Sequence, residues 1–229
     1  MTGFQTCALP IYNYNHIQNA ITFYRADTVL IENTQITDVY CRAIFIESVD
    51  EGTDNLTLNN VSINGCGMDA LYQSATDCIL NINGITINNC NAYPLSISAN
   101  WAHQLNNVNL IDNAHNVIRF VNGGYLASQT LTNHGYPYQI SGYSLYVNYT
   151  TVNLEPGTVF HFENGLVLEV TGTLNAIGSE VSPIIFSRPQ DTSYNWQGII
   201  FRNGSHGDLQ YCQFRSEEHT SELQSRQVI

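Results

Sequence analysis

Apolar and polar residues alternate in short blocks along the chain, and the blocks recur. N-N-V-S-I-N-G-C (59–66) aligns with N-G-I-T-I-N-N-C (83–90), N-N-V-N-L-I-D-N (106–113) and E-N-T-Q-I-T-D-V (32–39), in steps of 27, 24 and 23 residues. At those offsets three alternating pairs return in successive repeats. The first is Val29, Leu56 and Leu80 with Ile31, Leu58, Ile82 and Leu105. The second is Thr34, Val61, Ile85 and Val108 with Ile36, Ile63, Ile87 and Leu110. The third is Ile21, Ile44, Leu71, Leu95 and Ile118, accompanied by Phe23, Ile46, Ile97 and Phe120. A period of two within each pair predicts strands with one buried face. Three short strands per 21–27 residues predict coils that stack as parallel ladders. The expected fold is all-β, a parallel β-helix, and the handedness bias of parallel crossovers predicts a right-handed one.

Polar corners separate the strands. Asn33, Asn60 and Asn107 share one position, and Asn59, Asn83 and Asn106 stand beside it. Asn tolerates left-handed backbone, and stacked Asn side chains hydrogen-bond along a ladder, so these residues are expected to be structural. From residue 125 the blocks change but keep the two-residue period: Tyr138/Ile140, Leu145/Val147, Val152/Leu154, Phe160/Phe162 and Leu166/Leu168/Val170. L-E-P-G-T (154–158) supplies a Pro-Gly turn. The organisation expected is one set of coils over 13–124 and a continuing or second β-helix segment over 125–214.

Composition supports this picture and narrows the partners. The 229-residue chain is 43% hydrophobic, contains no Lys and is only 11% charged. Its polarity comes from Asn, Thr, Ser, Gly and Tyr, which suit strands and tight turns rather than helices. A formal charge of −12 argues against nucleic acid, which requires basic patches. An anionic membrane surface is disfavoured for the same reason, and no run of eighteen apolar residues predicts membrane insertion.

The ladders over 20–123 resemble the repeats of the right-handed β-helix, pectate-lyase-like superfamily. The run L-E-P-G-T-V-F-H-F-E-N-G-L-V-L-E-V-T-G-T-L-N-A-I-G, continued to W-Q-G-I-I-F, resembles β-helix segments of large secreted or cell-surface bacterial proteins. The resemblance implies an extracellular or surface location and a non-catalytic role, as a stalk or a module contacting carbohydrate or a cell-surface glycan. The alternative it implies is a polysaccharide lyase or glycoside hydrolase whose site lies mostly outside this segment. The ends carry a different resemblance. R-S-E-E-H-T-S-E-L-Q-S (215–225) is identical to a translated short-read sequencing adapter, and M-T-G-F-Q-T-C-A-L-P-I resembles the translation of its reverse complement. Residues 1–12 and 215–229 are therefore expected to be adapter-derived, with 13–214 an internal fragment of a metagenomic kind, attached in nature to the rest of a parent protein.

Candidate chemistry is sparse. The N-T-D, D-D, G-H-G and R-I-K strings of polygalacturonase-type hydrolases do not occur. The nearest, N-H-G-Y (133–136) and S-H-G-D (205–208), predict that His134 and His206 are turn residues. No catalytic or cofactor-binding residue is assigned. Arg188 in S-R-P-Q reads as a surface arginine, and Arg25 and Arg42 are the arginines that neighbouring coils could bring to a lyase site. His161, Glu163 and Glu169 lie on nearby strands and are expected to form a solvated face. In E-S-V-D-E-G-T-D (47–54), Glu47, Asp50, Glu51 and Asp54 surround Gly52 and offer hard oxygens to Ca²⁺, without the ordered spacing of an EF-hand loop. Trp101, Tyr125, Tyr136, Tyr143, Tyr146 and Tyr149 include candidates for stacking on sugars, with several expected in the core or at corners. Cys41, Cys66, Cys78, Cys90 and Cys212 form no C-x-x-C pair. Cys66 and Cys90 occupy the same coil position, where in-register side chains point the same way, and two free stacked thiols are expected rather than a bridge.

Overall fold

A computed structural model describes residues 19–24, 27–47, 55–74, 76–122, 124–189 and 195–215. They form a parallel β-solenoid of about seven turns, in which every strand pairing is parallel. One wall is a nine-stranded sheet containing Ile21–Phe23, Ile44–Ile46, Leu71–Gln73, Leu95–Ile97, Ile118–Phe120, Tyr138–Ile140, Val159–Phe162, Ile184–Ser187 and Cys212–Arg215. In the earlier coils the other two walls belong to one sheet, Thr28–Glu32, Gln35–Val39, Asn55–Cys66, Ile79–Cys90 and Leu105–Ile111, bent at its Asn corners. In the later coils two four-stranded sheets replace it. One contains Gly124–Tyr125, Leu145–Val147, Leu168–Val170 and Ile199–Phe201. The other contains Gln129–Leu131, Thr151–Leu154, Thr173–Ile177 and His206–Gln210.

The register follows the apolar columns. Leu56 pairs with Leu80, Leu58 with Ile82, Val61 with Ile85 and Ile63 with Ile87. Ile44 pairs with Leu71, Leu71 with Leu95 and Ile118 with Leu95. These side chains are buried and form one continuous core. Slipping any strand by one residue would turn its apolar set to solvent, and that holds the register. At the corners, Asn33, Asn60 and Asn107 take φ of 48°, 53° and 53°, and Gly84 fills the same corner at 102°. The side chains run between coils as expected: Asn60 Nδ2 donates to Asn33 Oδ1 at 2.9 Å, and Asn83 Nδ2 to Asn59 Oδ1 at 3.1 Å.

Two features depart from a uniform coil. Ala99–Gln104 is a 3-10 turn, held from both sides by glutamine side chains. Gln73 Oε1 accepts from the Ser98 N–H at 3.0 Å, and Gln129 Oε1 accepts from the His103 N–H at 3.2 Å. Trp101 anchors the same turn by donating from Nε1 to the Thr76 carbonyl at 3.0 Å. Tyr136 is likewise structural, its hydroxyl accepting from the Leu110 N–H at 2.9 Å. The second feature is aromatic. From Phe120 the core of the nine-stranded sheet becomes a stack of rings: Tyr138, Phe160, Phe186 and Phe214 follow at centroid spacings of 5.0, 5.6, 5.4 and 5.3 Å.

His134 and His161 are partly buried, and burial lowers the pKa of each below the ordinary value of 6.5; Glu155 partly offsets this at His134. The Nε2 atom of His134 is buried and has no hydrogen-bond partner among the described residues. A folded-state pKa depressed in this way means the unfolded chain binds protons first. Stability is therefore full above about pH 6.5 and falls as the pH drops through the histidine range toward the lowered values. Thermal melts between pH 7.5 and 5 are expected to show this decline, and a His134→Gln, His161→Gln double variant is expected to flatten it. A decline of equal slope in that variant would assign the effect to other groups.

Candidate ligand-binding face

The outward positions of the nine-stranded sheet form a column of their own. Thr22, Phe45, Tyr72, Ser96, Arg119, Gln139, His161, Ser187 and Arg215 succeed one another in register. Its central part is an aromatic and guanidinium strip. The Arg42 guanidinium carbon stands 5.2 Å from the Phe45 ring centroid and 4.8 Å from that of Tyr72. The Arg119 guanidinium carbon stands 4.0 Å from the Tyr93 centroid and 5.9 Å from that of Tyr72. Tyr93 in turn stacks on His115 at 4.7 Å. A cation over a ring face is attracted by the ring quadrupole, and several rings with two guanidinia make a preorganised surface.

Asp69 orients the centre of this strip. It is 5% exposed, its Oδ2 lies 2.8 Å from Arg119 Nη2, and its Oδ1 accepts from the Tyr93 N–H at 3.2 Å. Arg119 Nε donates to Ser96 Oγ at 3.0 Å. These contacts fix Arg119 edge and face, leaving little rotamer freedom to lose on binding. Arg42 differs. Among the described residues it makes no ion pair, and its buried Nε has no hydrogen-bond partner. The strip continues toward the later coils through Gln139, which donates to the Tyr93 hydroxyl at 3.2 Å and to Glu163 Oε1 at 3.1 Å. Ser141 Oγ donates to the same Glu163 oxygen at 2.7 Å. Hydroxyl, amide and guanidinium groups beside half-buried rings suit recognition of a polyhydroxylated ligand.

The sequence-derived candidates scatter over the molecule. Glu47 is exposed at the end of its strand, while Asp50, Glu51, Asp54 and Arg25 lie outside the described residues. His161 is on the nine-stranded sheet, and Glu163 directly follows its strand, Val159–Phe162. Glu169 is on a different wall, paired to Arg202 at 2.8 Å, so the three do not form one face. His206 opens the strand His206–Gln210 and is not a turn residue, because the repeat brings it into register with Thr173. His134 lies between strands, as expected. Arg188 is half-buried just after Ile184–Ser187. Cys66 and Cys90 are in register, buried and free. The hydrogen bond with Cys90, reinforced by burial, holds the Cys66 thiol far above its ordinary range.

Phe45, Tyr72, Tyr93, Asp69 and Arg119 were not legible as a site from sequence, although one signal was available. They sit on or beside the positions between the apolar pairs of the third column, where coil spacing alone aligns Phe45, Tyr72 and Arg119. No family model, curated protein or solved structure matches the chain.

Proposed function

We propose that this chain is a non-catalytic β-helix segment of the pectate-lyase-like kind, belonging to a large secreted or cell-surface bacterial protein. Its outer nine-stranded face contacts carbohydrate. The observation that carries the reading is the strip of Phe45, Tyr72 and Tyr93 interleaved with Arg42 and Arg119, positioned by buried Asp69. The groups there are arranged to hold a ligand. Asp69 is covered by Arg119, and Glu163 already accepts two hydrogen bonds, so neither is set up as an unencumbered base.

The test pairs binding with turnover. Purified chain is titrated with polygalacturonate, alginate and a bacterial cell-wall glycan preparation, and Tyr72→Ala is expected to weaken whichever interaction is found by about tenfold. Incubation with polygalacturonate or alginate, with and without Ca²⁺, is expected to give no rise in ultraviolet absorbance from unsaturated products. Sustained Ca²⁺-dependent turnover, abolished by Asp50→Ala or Asp54→Ala, would replace this reading with a polysaccharide lyase using a calcium site at Glu47, Asp50, Glu51 and Asp54.

A further inference from the structure

A second wall carries an independent set of rings. The strand Leu145–Val147 presents Tyr146 outward, with Tyr143 before it and Tyr149 after it, in the run Y-S-L-Y-V-N-Y. Tyr125 of the preceding coil is in register with Tyr146, and the two rings stack at 5.2 Å with 27° between their planes. Tyr125 is 55% exposed, Tyr143 60% and Tyr149 87%. Three exposed tyrosines and the half-buried Tyr146 thus lie across one coil and along two.

Two observations indicate what this wall meets. The first is charge. The same outward column continues from Tyr146 to Glu169, and Glu169 is ion-paired with Arg202 at 2.8 Å. With that pair mutually neutralised, this column offers no free cation among the described residues to a polyanion or a membrane headgroup. It offers flat faces and phenolic hydroxyls to an uncharged, hydroxylated chain.

The second is backbone strain at Tyr149, whose φ is 55°. Of the nine non-glycine residues with positive φ among those described, seven are Asn or Asp, which tolerate that geometry, and the other two are the exposed Tyr149 and Tyr211. A bulky side chain there is costly, and the ring of Tyr149 recovers nothing by burial. Asn or Asp fills seven other positions of this geometry, so the backbone does not require tyrosine at this corner. Tyr211 carries the same strain at a corner away from this wall, so the strain at Tyr149 points to a ligand only together with the stacked rings beside it.

We infer that the Tyr125, Tyr143, Tyr146 and Tyr149 wall is a binding site for a neutral glycan. It is separate from the arginine-bearing face and does not depend on that face binding anything. The full chain is titrated with cellohexaose, xylohexaose and mannohexaose, with polygalacturonate as the charged comparison. At least one neutral oligosaccharide is expected to bind, and Tyr146→Ala and Tyr125→Ala are each expected to weaken it about tenfold, with Tyr40→Ala, an exposed ring on an early coil, leaving it unchanged. Tyr149→Asn gives the distinguishing result: a higher melting temperature together with weaker binding. Failure of all three neutral oligosaccharides to bind overturns the inference. So does binding that survives a Tyr125→Ala, Tyr146→Ala double variant, binding that tracks Tyr40 instead, or a Tyr149→Asn protein with undiminished affinity.

Discussion

Phe160→Ala is expected to destabilise the protein by about 3–5 kcal/mol, whereas Phe214→Ala, two coils further along the same stack, costs only a small fraction of that. Phe160 is 1% exposed and lies between Tyr138 and Phe186, at 5.6 and 5.4 Å, with Phe162 at 6.3 Å. Removing its ring leaves a void that the coils cannot close, because hydrogen bonds to the coils on both sides fix their separation. Phe214 ends the described stack and is already 53% exposed, so truncating it opens no cavity. Urea unfolding followed by tryptophan fluorescence and far-ultraviolet circular dichroism measures both. Equal costs for the two variants would mean that the stack does not transmit packing from coil to coil.

Arg119→Met carries the second large effect, about 3 kcal/mol or more, through a different mechanism. The substitution strands the Asp69 carboxylate in a site where it is 5% exposed, with the Tyr93 N–H as its remaining hydrogen-bond partner among the described residues. It also removes the cation between Tyr93 and Tyr72. A double variant, Arg119→Met with Asp69→Leu, is expected to recover most of the loss, since no unpaired charge then stays buried. Arg202→Met breaks an ion pair of the same length on an exposed wall and is expected to cost far less. A double variant no more stable than Arg119→Met alone would show that the loss is of packing rather than of charge pairing.

The fold was legible because its strongest determinant is one-dimensional. Each coil repeats the apolar pairs of the last, so aligning 59–66 with 83–90 already gives the register that pairs Leu56 with Leu80 and Ile63 with Ile87. The sites were far less legible, for a geometric reason. Asp69 and Arg119 are 50 residues and two coils apart, with Ser96 on the strand between them. No spacing rule within one repeat links them. Glu169 faces a different wall from His161 although only eight residues separate them, because a corner of the coil lies between their two strands. Tyrosine content did point to Tyr125 and Tyr146, yet it grouped them with Trp101 and Tyr136, whose polar atoms are spent holding a turn and a strand.

Repetition creates an ambiguity that the molecule has to resolve. A coil offset by one full repeat would still set Ile against Leu in most columns, so a folding chain meets near-copies of its native pairing. Gln73 breaks that degeneracy. It occupies an inward position beside Ile46, fully buried; its Nε2 donates to the Cys78 carbonyl five residues on at 2.7 Å, and its Oε1 is satisfied across coils by the Ser98 N–H at 3.0 Å. One misplaced turn takes the Ser98 N–H away and leaves the Gln73 Oε1 unpaired among hydrocarbon, at a cost of roughly 1–3 kcal/mol. Gln73 thus serves as an index mark on an otherwise uniform thread. We predict that Gln73→Ile folds but samples neighbouring registers, visible as doubled amide resonances for residues 71–98, while a single sharp set would place the indexing elsewhere.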